Sequence, residues 1–349
     1  MRRNASISLL AVGHACVDIY QGAVAALIPF FVAERHYGYA VASGIALSGS
    51  YGLTLAFVAV SGVGVAAYHP ESARLARLAS GGSHSAMSWF SLGGNIGFAL
   101  APVMVSLVIG HGSLRWTPLL ALPALVGASL CVPVLGMLGR RQAGTAGTSA
   151  PTGEDDVSSF VRLSLAVVCR SVVFTGLSTF IALYARQRTG GGTTAGTVAL
   201  FLLFLGGAVG SVLGGALAGR YDRVRVCRWS YLLSVAAVAG VLYVPGPAMF
   251  LCVALTSAGL YVPFSLQVTL GQDYLPSRVG TASGVTLGLT VSVGGLVSPL
   301  LGHLADTTSL RTALTPLTVL PALSALLFAT LPEPAAPRPQ QAVPIRESV

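Results

Sequence analysis

The chain of 349 residues carries 20 Lys+Arg against 11 Asp+Glu, and only 9% of it is charged, where an ordinary soluble domain has about 25%. With 54% hydrophobic residues and a mean hydropathy of +0.77, it has too little polar surface for a soluble globule and too much apolar content for disorder. A soluble enzyme is thereby excluded, and an all-α polytopic membrane protein remains.

A spanning helix takes about 20 mostly apolar residues. Ten such spans follow one another, at roughly 6–33, 40–68, 86–110, 116–138, 160–185, 193–219, 226–245, 247–270, 280–304 and 312–332. The first is not expected to be a cleaved leader, because its apolar run is long and further spans follow it. The polar, Gly/Ser/Thr/Pro-rich stretch 139–159 reads as a flexible linker. It divides an N-terminal bundle of four spans (1–138) from a C-terminal bundle of six (160–333). Residues 334–349 are a Pro-rich tail, predicted disordered.

The net charge of +9 does not point to nucleic acid. Every basic residue is Arg, in short clusters between apolar runs, without the aromatic-interleaved stripe of a nucleic-acid binder. With the N-terminus placed in the cytoplasm and the spans alternating, 14 arginines fall on the cytoplasmic side and 5 outside. This positive-inside asymmetry predicts a multi-pass protein of the cell membrane with both termini cytoplasmic.

Polar residues inside the spans are the candidates for chemistry. His14, Asp18 and Gln21 are spaced i, i+4 and i+7, so they share one face of the first span. A carboxylate near mid-span costs about 2.5–3.5 kcal/mol to insert, and such residues mark proton relays and substrate paths. Asp18 is therefore the expected proton-coupling group, with His14 orienting it; a hydrogen bond between helices is the plainer alternative. Arg170, deep in the fifth span, needs an anion nearby. Asp18 is the internal candidate, and an anionic substrate group or snorkelling to an interface are the alternatives. Asn95 and Gln267 are weaker substrate contacts, and Gln21 joins them by its place on the Asp18 face.

Two loops read as gates or clasps. In the first, Tyr68 to Arg74, His69, Glu71 and Arg74 end the second span. In the second, between the sixth and seventh spans, Arg220, Asp222 and Arg223 follow a glycine-rich helix end. Glycines inside the spans (93, 94 and 97; 206, 207, 210, 214 and 215; 284, 288, 294 and 295) permit close helix contact in lipid. Pro29, Pro102 and Pro299 would bend their helices. The five cysteines lie far apart with no metal-binding spacing, so no metal or cofactor is expected. No Walker loop, G-x-S-x-G or HExxH supports an enzyme or an ATP-driven pump.

GHACVDIYQG, YHPESARLARLASGG, FSLGGNIGFALAP, QDYLPSRVGTASGVTLGL and LGHLAD together resemble the fosmidomycin-resistance branch of the major facilitator superfamily, over most of residues 6–332. The 215–225 loop resembles the superfamily's G-x-x-x-D-R/K-x-G-R/K signature in part, with Gly219 where the acid is expected and Asp222 where the second Gly is expected. The resemblance implies a monomer exporting a drug or small metabolite in exchange for protons, through an alternating-access cavity between two six-helix halves. Uptake of a small organic anion, or a non-transporting remnant, are the alternatives. That family has twelve spans. The four-span N-terminal bundle implies that roughly 45–50 residues, about two helices, are missing near Gly44–Gly49.

Overall fold

The computed structural model describes residues 3–35, 84–110, 114–130 and 154–334, with Tyr68, His69, Ser72, Leu75, Ala76 and Val132 as isolated positions. Residues 40–67 of the expected second span, with the junction near Gly44–Gly49, lie outside the described residues. So do Glu71, Arg74, most of the linker and the tail from residue 335.

The described residues are helical and contain no strand. In chain order they form α1 (Arg3–Arg35), α2 (His84–Gly110), α3 (Trp116–Leu130), α4 (Val157–Thr189), α5 (Gly192–Ala218), α6 (Arg223–Tyr243), α7 (Ala248–Tyr274), α8 (Val279–Ser283), α9 (Thr290–Thr307) and α10 (Leu310–Ala329). Most expected spans are found within a few residues. The described part of the element predicted at 116–138 is Trp116–Leu130, and α4 begins at Val157 rather than 160. Six helices, α2 (over Trp89–Gly110), α4, α5, α6, α7 and α10, are long and apolar enough to cross a membrane. Helix α1, 33 residues, is about 50 Å long at 1.5 Å per residue.

Local chemistry fixes several boundaries. Asp156 caps α4 by accepting the Ser159 amide at 2.9 Å, which satisfies one of the orphan N–H groups of the first turn. Gly190, at φ 65°, ends α4 in the left-handed region, and its N–H donates to the Arg186 carbonyl. The expected ninth span is interrupted: α8 and α9 are joined by a π-helical turn, Gly284–Leu289. A glycine-rich stretch, with Gly284 and Gly288 open to space on their Cβ side, accommodates that extra residue per turn.

Two helix pairs are built on small-residue contacts. Cβ atoms at Gly93 and Gly97 would collide with the Ala11 and Ala15 carbonyls, so α2 lies backbone-to-backbone on α1. On the C-terminal side Gly206, Gly210 and Gly214 of α5 face the Ala254, Ala258 and Val262 carbonyls of α7 in the same way. In lipid, where burying Leu against Leu adds no hydrophobic drive, such close approach is what holds helices together. Helix α2 also packs on α5, joining the N-terminal helices to the C-terminal ones. The core there holds fully buried Phe180, Ile181, Leu200, Leu203, Met249 and Leu260.

Candidate functional site

His14 and Asp18 do share one face of α1, and the structure adds a third group. His14 Nε2 lies 3.3 Å from Asp18 Oδ2, and His69 Nε2 lies 3.1 Å from Asp18 Oδ1. Asp18 is 3% exposed, whereas the His69 side chain is 36% exposed. The His14 ring stacks on Phe90 at 4.4 Å and meets His69 edge-on at 5.2 Å. Gly94 makes room for the pair: a Cβ there would sit 2.5 Å from Asp18 Oδ2 and 2.7 Å from His14 Nε2.

The hydrogen bonding sets the chemistry. His14 Nδ1 is 3.0 Å from the Phe90 carbonyl, which can only accept, so Nδ1 carries the proton of the neutral ring. Its Nε2 then turns a lone pair toward a carboxylate oxygen. That contact is attractive only when one proton lies between them, on the ring as imidazolium or on the carboxyl as acid. Such an arrangement can hold a proton between ring and carboxylate, and His69 leads from it to a more exposed position. The three ligand-type atoms lie within 4.8 Å of one another, a spacing a small cation also tolerates.

Asp18 is not the countercharge of Arg170. Both its oxygens are taken by imidazoles. Arg170, 2% exposed, instead lies over the rings of Phe264 at 5.1 Å and Tyr261 at 5.9 Å. Among the described residues nothing accepts from its buried Nε. Gln267 Nε2 donates to the Tyr231 hydroxyl at 2.7 Å, while its Oε1 is buried without a partner. Gln21 Oε1 is likewise buried and unpaired. Asn95 faces another way: its Nδ2 donates to Ser211 Oγ of α5 at 3.1 Å and to the Ser91 carbonyl, so it ties α2 to α5. Phe98, Phe204, Phe174 and Tyr261 form a chain of rings, 4.9 to 6.1 Å apart, from the N-terminal helices to the C-terminal ones.

His69, expected at a gate, lies against Asp18. In the second loop, Arg223 is the residue held by carboxylates. Its Nη1 donates to Asp273 Oδ2 at 2.6 Å and its Nε to Glu333 Oε1 at 2.7 Å, and Glu333 Oε2 accepts the Val224 amide at 2.8 Å. Asp222 reaches only exposed Arg225, at 3.9 Å, and Arg220 is exposed. Alongside, Ser277 donates to Asp155 through its hydroxyl and its amide. Those two bonds, with Arg278 nearby, hold the Asp155 carboxyl below its usual range. Asp273, Glu333 and Asp155 carried no sequence sign, because each partner lies 50 or more residues away.

The described helices, six of them long and apolar enough to cross a membrane, with polar groups buried among them, have the form of a membrane transporter. Residues 23–299 match the Major Facilitator Superfamily, and the chain belongs to that family. It is 31% identical over 277 residues, 76% of this chain and 68% of the relative, to the fosmidomycin resistance protein of Escherichia coli (strain K12). It is also 31% identical over 297 residues, 82% of this chain and 72% of the relative, to the uncharacterized MFS-type transporter YfnC of Bacillus subtilis (strain 168). Among solved structures, a bacterial homolog of the human lysosomal transporter Spinster, inward-facing and occupied, matches with TM-score 0.62 at 15% identity, covering 94% of this chain and 95% of that one. The fucose:proton symporter FucP of E. coli matches with TM-score 0.61 at 16% identity, covering 91% and 83%.

Proposed function

We propose that this chain is a secondary transporter of the cytoplasmic membrane, both termini inside, that exports a drug or small metabolite of the fosmidomycin type in exchange for protons. The observation that carries the reading is the His14–Asp18 contact, which holds one proton in a buried site. Loss of that proton sets lone pair against carboxylate, so protonation and the packing of α1 on α2 are coupled through the Phe90 carbonyl. His69 relays the proton between Asp18 and the cytoplasmic side. The ring chain from Phe98 to Tyr261 offers an apolar wall to a drug-sized molecule, and Arg170 meets its negative charge.

The test is fosmidomycin-driven proton movement in everted vesicles, comparing this chain with Asp18→Asn. Substrate uptake that discharges the imposed proton gradient and collapses in the variant supports exchange. Equal transport by both chains sinks the assignment of Asp18.

A second reading is uptake of a small organic anion together with a proton. One observation favours it: Asp18 and Arg170 are not paired, so anion and proton need not compete for the same charge. The same vesicles separate the two, because substrate and proton then move in the same direction.

A further inference from the structure

The C-terminal helices bury a set of polar atoms that the proton reading does not use. Arg170, Gln267, Thr256 and Ser257 are each at most 2% exposed. Arg170 Nε, Gln267 Oε1, Thr256 Oγ1 and Ser257 Oγ are buried without a hydrogen-bond partner among the described residues. A buried guanidinium and several orphaned neutral groups are costly, and the cost is offset when a ligand supplies the missing partners.

The set is placed like a seat. Gln267 is held by the Tyr231 hydroxyl, which fixes its amide. The Arg170 guanidinium lies against the rings of Phe264 and Tyr261, both only partly buried. Gly207 faces the Tyr261 ring and Ser257 Oγ, where a Cβ would come within 3.1 and 3.3 Å, so the α5 backbone closes that side.

We propose that Arg170 and Gln267, walled by Tyr261 and Phe264, bind a small organic acid bearing a hydroxyl or amide beside its acid group. The acid takes the guanidinium, whose free N–H donors suit a carboxylate or related oxyanion. The second polar group satisfies the free end of the Gln267 amide, whichever way that amide is turned, because a hydroxyl both donates and accepts. Neutral and cationic compounds, and acids without the second group, leave buried atoms unpaired and bind more weakly. This deepens the transport reading and rests on it only for the claim that the bound acid is carried.

The experiment is equilibrium calorimetry on the full chain in lipid nanodiscs, without a proton gradient, so that it stands even if Asp18 proves uninvolved. The probes are 3-hydroxybutyrate, butyrate and butane-1,3-diol. The hydroxy acid is expected to bind about tenfold more tightly than butyrate, and the diol not at all. Arg170→Gln should lose both acids, and Gln267→Leu should erase the tenfold preference by weakening the hydroxy acid far more than butyrate. Equal weakening of both acids by Gln267→Leu, or binding that survives Arg170→Gln, overturns the proposal. If Arg170→Gln does not fold, the Gln267→Leu comparison decides alone. Asp18→Asn that abolishes transport but keeps the hydroxy-acid preference separates failure of the seat from failure of the proton reading.

Discussion

At the scale of single residues, little room surrounds the His14–Asp18 pair. Gly94 admits the His14–Asp18 pair only because it has no side chain. Gly94→Ala places a methyl where Asp18 Oδ2 and His14 Nε2 meet, so one of them must leave. Transport is expected to fall at least tenfold, with the chain still inserted and folded; unchanged transport would mean that the pair is not part of the cycle. His69→Gln keeps a donor toward Asp18 Oδ1 but removes a titratable ring. Substrate binding should be kept while the pH profile of transport shifts, and His69→Leu should lose transport altogether. An identical pH profile in His69→Gln would remove His69 from the relay. The i, i+4 spacing made His14 and Asp18 legible in the sequence, because helix geometry puts those positions on one face. The role of His69 was not legible, since it reaches Asp18 from 51 residues away and only packing brings it there. Arg170 stood out as a charge in an apolar run, but its neighbours Tyr261 and Phe264 are ordinary aromatic residues of a different helix.

At the scale of elements, the glycine stripes of α2 and α5 set helix spacing. A Cβ at Gly210 meets the Ala258 carbonyl, carbon and Cα, which are backbone and cannot turn aside. Gly210→Val should therefore separate α5 from α7 and cost about 2–4 kcal/mol, in the range of overpacked cores, read as a lower melting temperature in detergent. Gly215 of the same helix has nothing within 4 Å, so Gly215→Ala should leave melting unchanged; equal damage at both positions would dismiss the stripe. The cap of α4 gives a pH dependence. Hydrogen bonds from Ser159 hold the Asp156 carboxyl below its ordinary value of 3.8, and Ser277 does the same for Asp155. Their stabilisation is complete above that value and is lost as pH falls through the lower folded values. Melting should thus decline below about pH 4, the unfolded carboxyl value, and Asp156→Ala should cost about 1 kcal/mol at neutral pH and flatten the decline. Spans were legible because apolar length alone defines them. The π-helical turn was not, since glycines mark tolerance of irregular backbone without saying which irregularity forms.

At the scale of the whole molecule, one end of the C-terminal bundle is closed by a single arginine. Arg223, at the start of α6, joins Asp273 near the end of α7 to Glu333 just after α10, while Arg162 of α4 donates to the Thr330 carbonyl and Tyr274 to the Pro332 carbonyl. Helices α4, α6 and α7 and the segment just after α10 thus meet at this end, and the charge there is arranged as two carboxylates around one guanidinium. This arrangement predicts an order of damage. Glu333→Gln removes one charged hydrogen bond but keeps an acceptor, and should cost about 1 kcal/mol, since the site is partly exposed and screened. Arg223→Gln removes both bonds and leaves Asp273 and Glu333 facing each other without the cation that balanced them, so it should cost more than either carboxylate variant alone. Adding Glu333→Gln to Arg223→Gln relieves that repulsion and should raise the melting temperature part of the way back. Such rescue is the mark of a shared counterion, because two independent contacts would simply add their losses. If the double variant melts lower than Arg223→Gln, Arg223 is holding two separate contacts and the carboxylates do not sense one another.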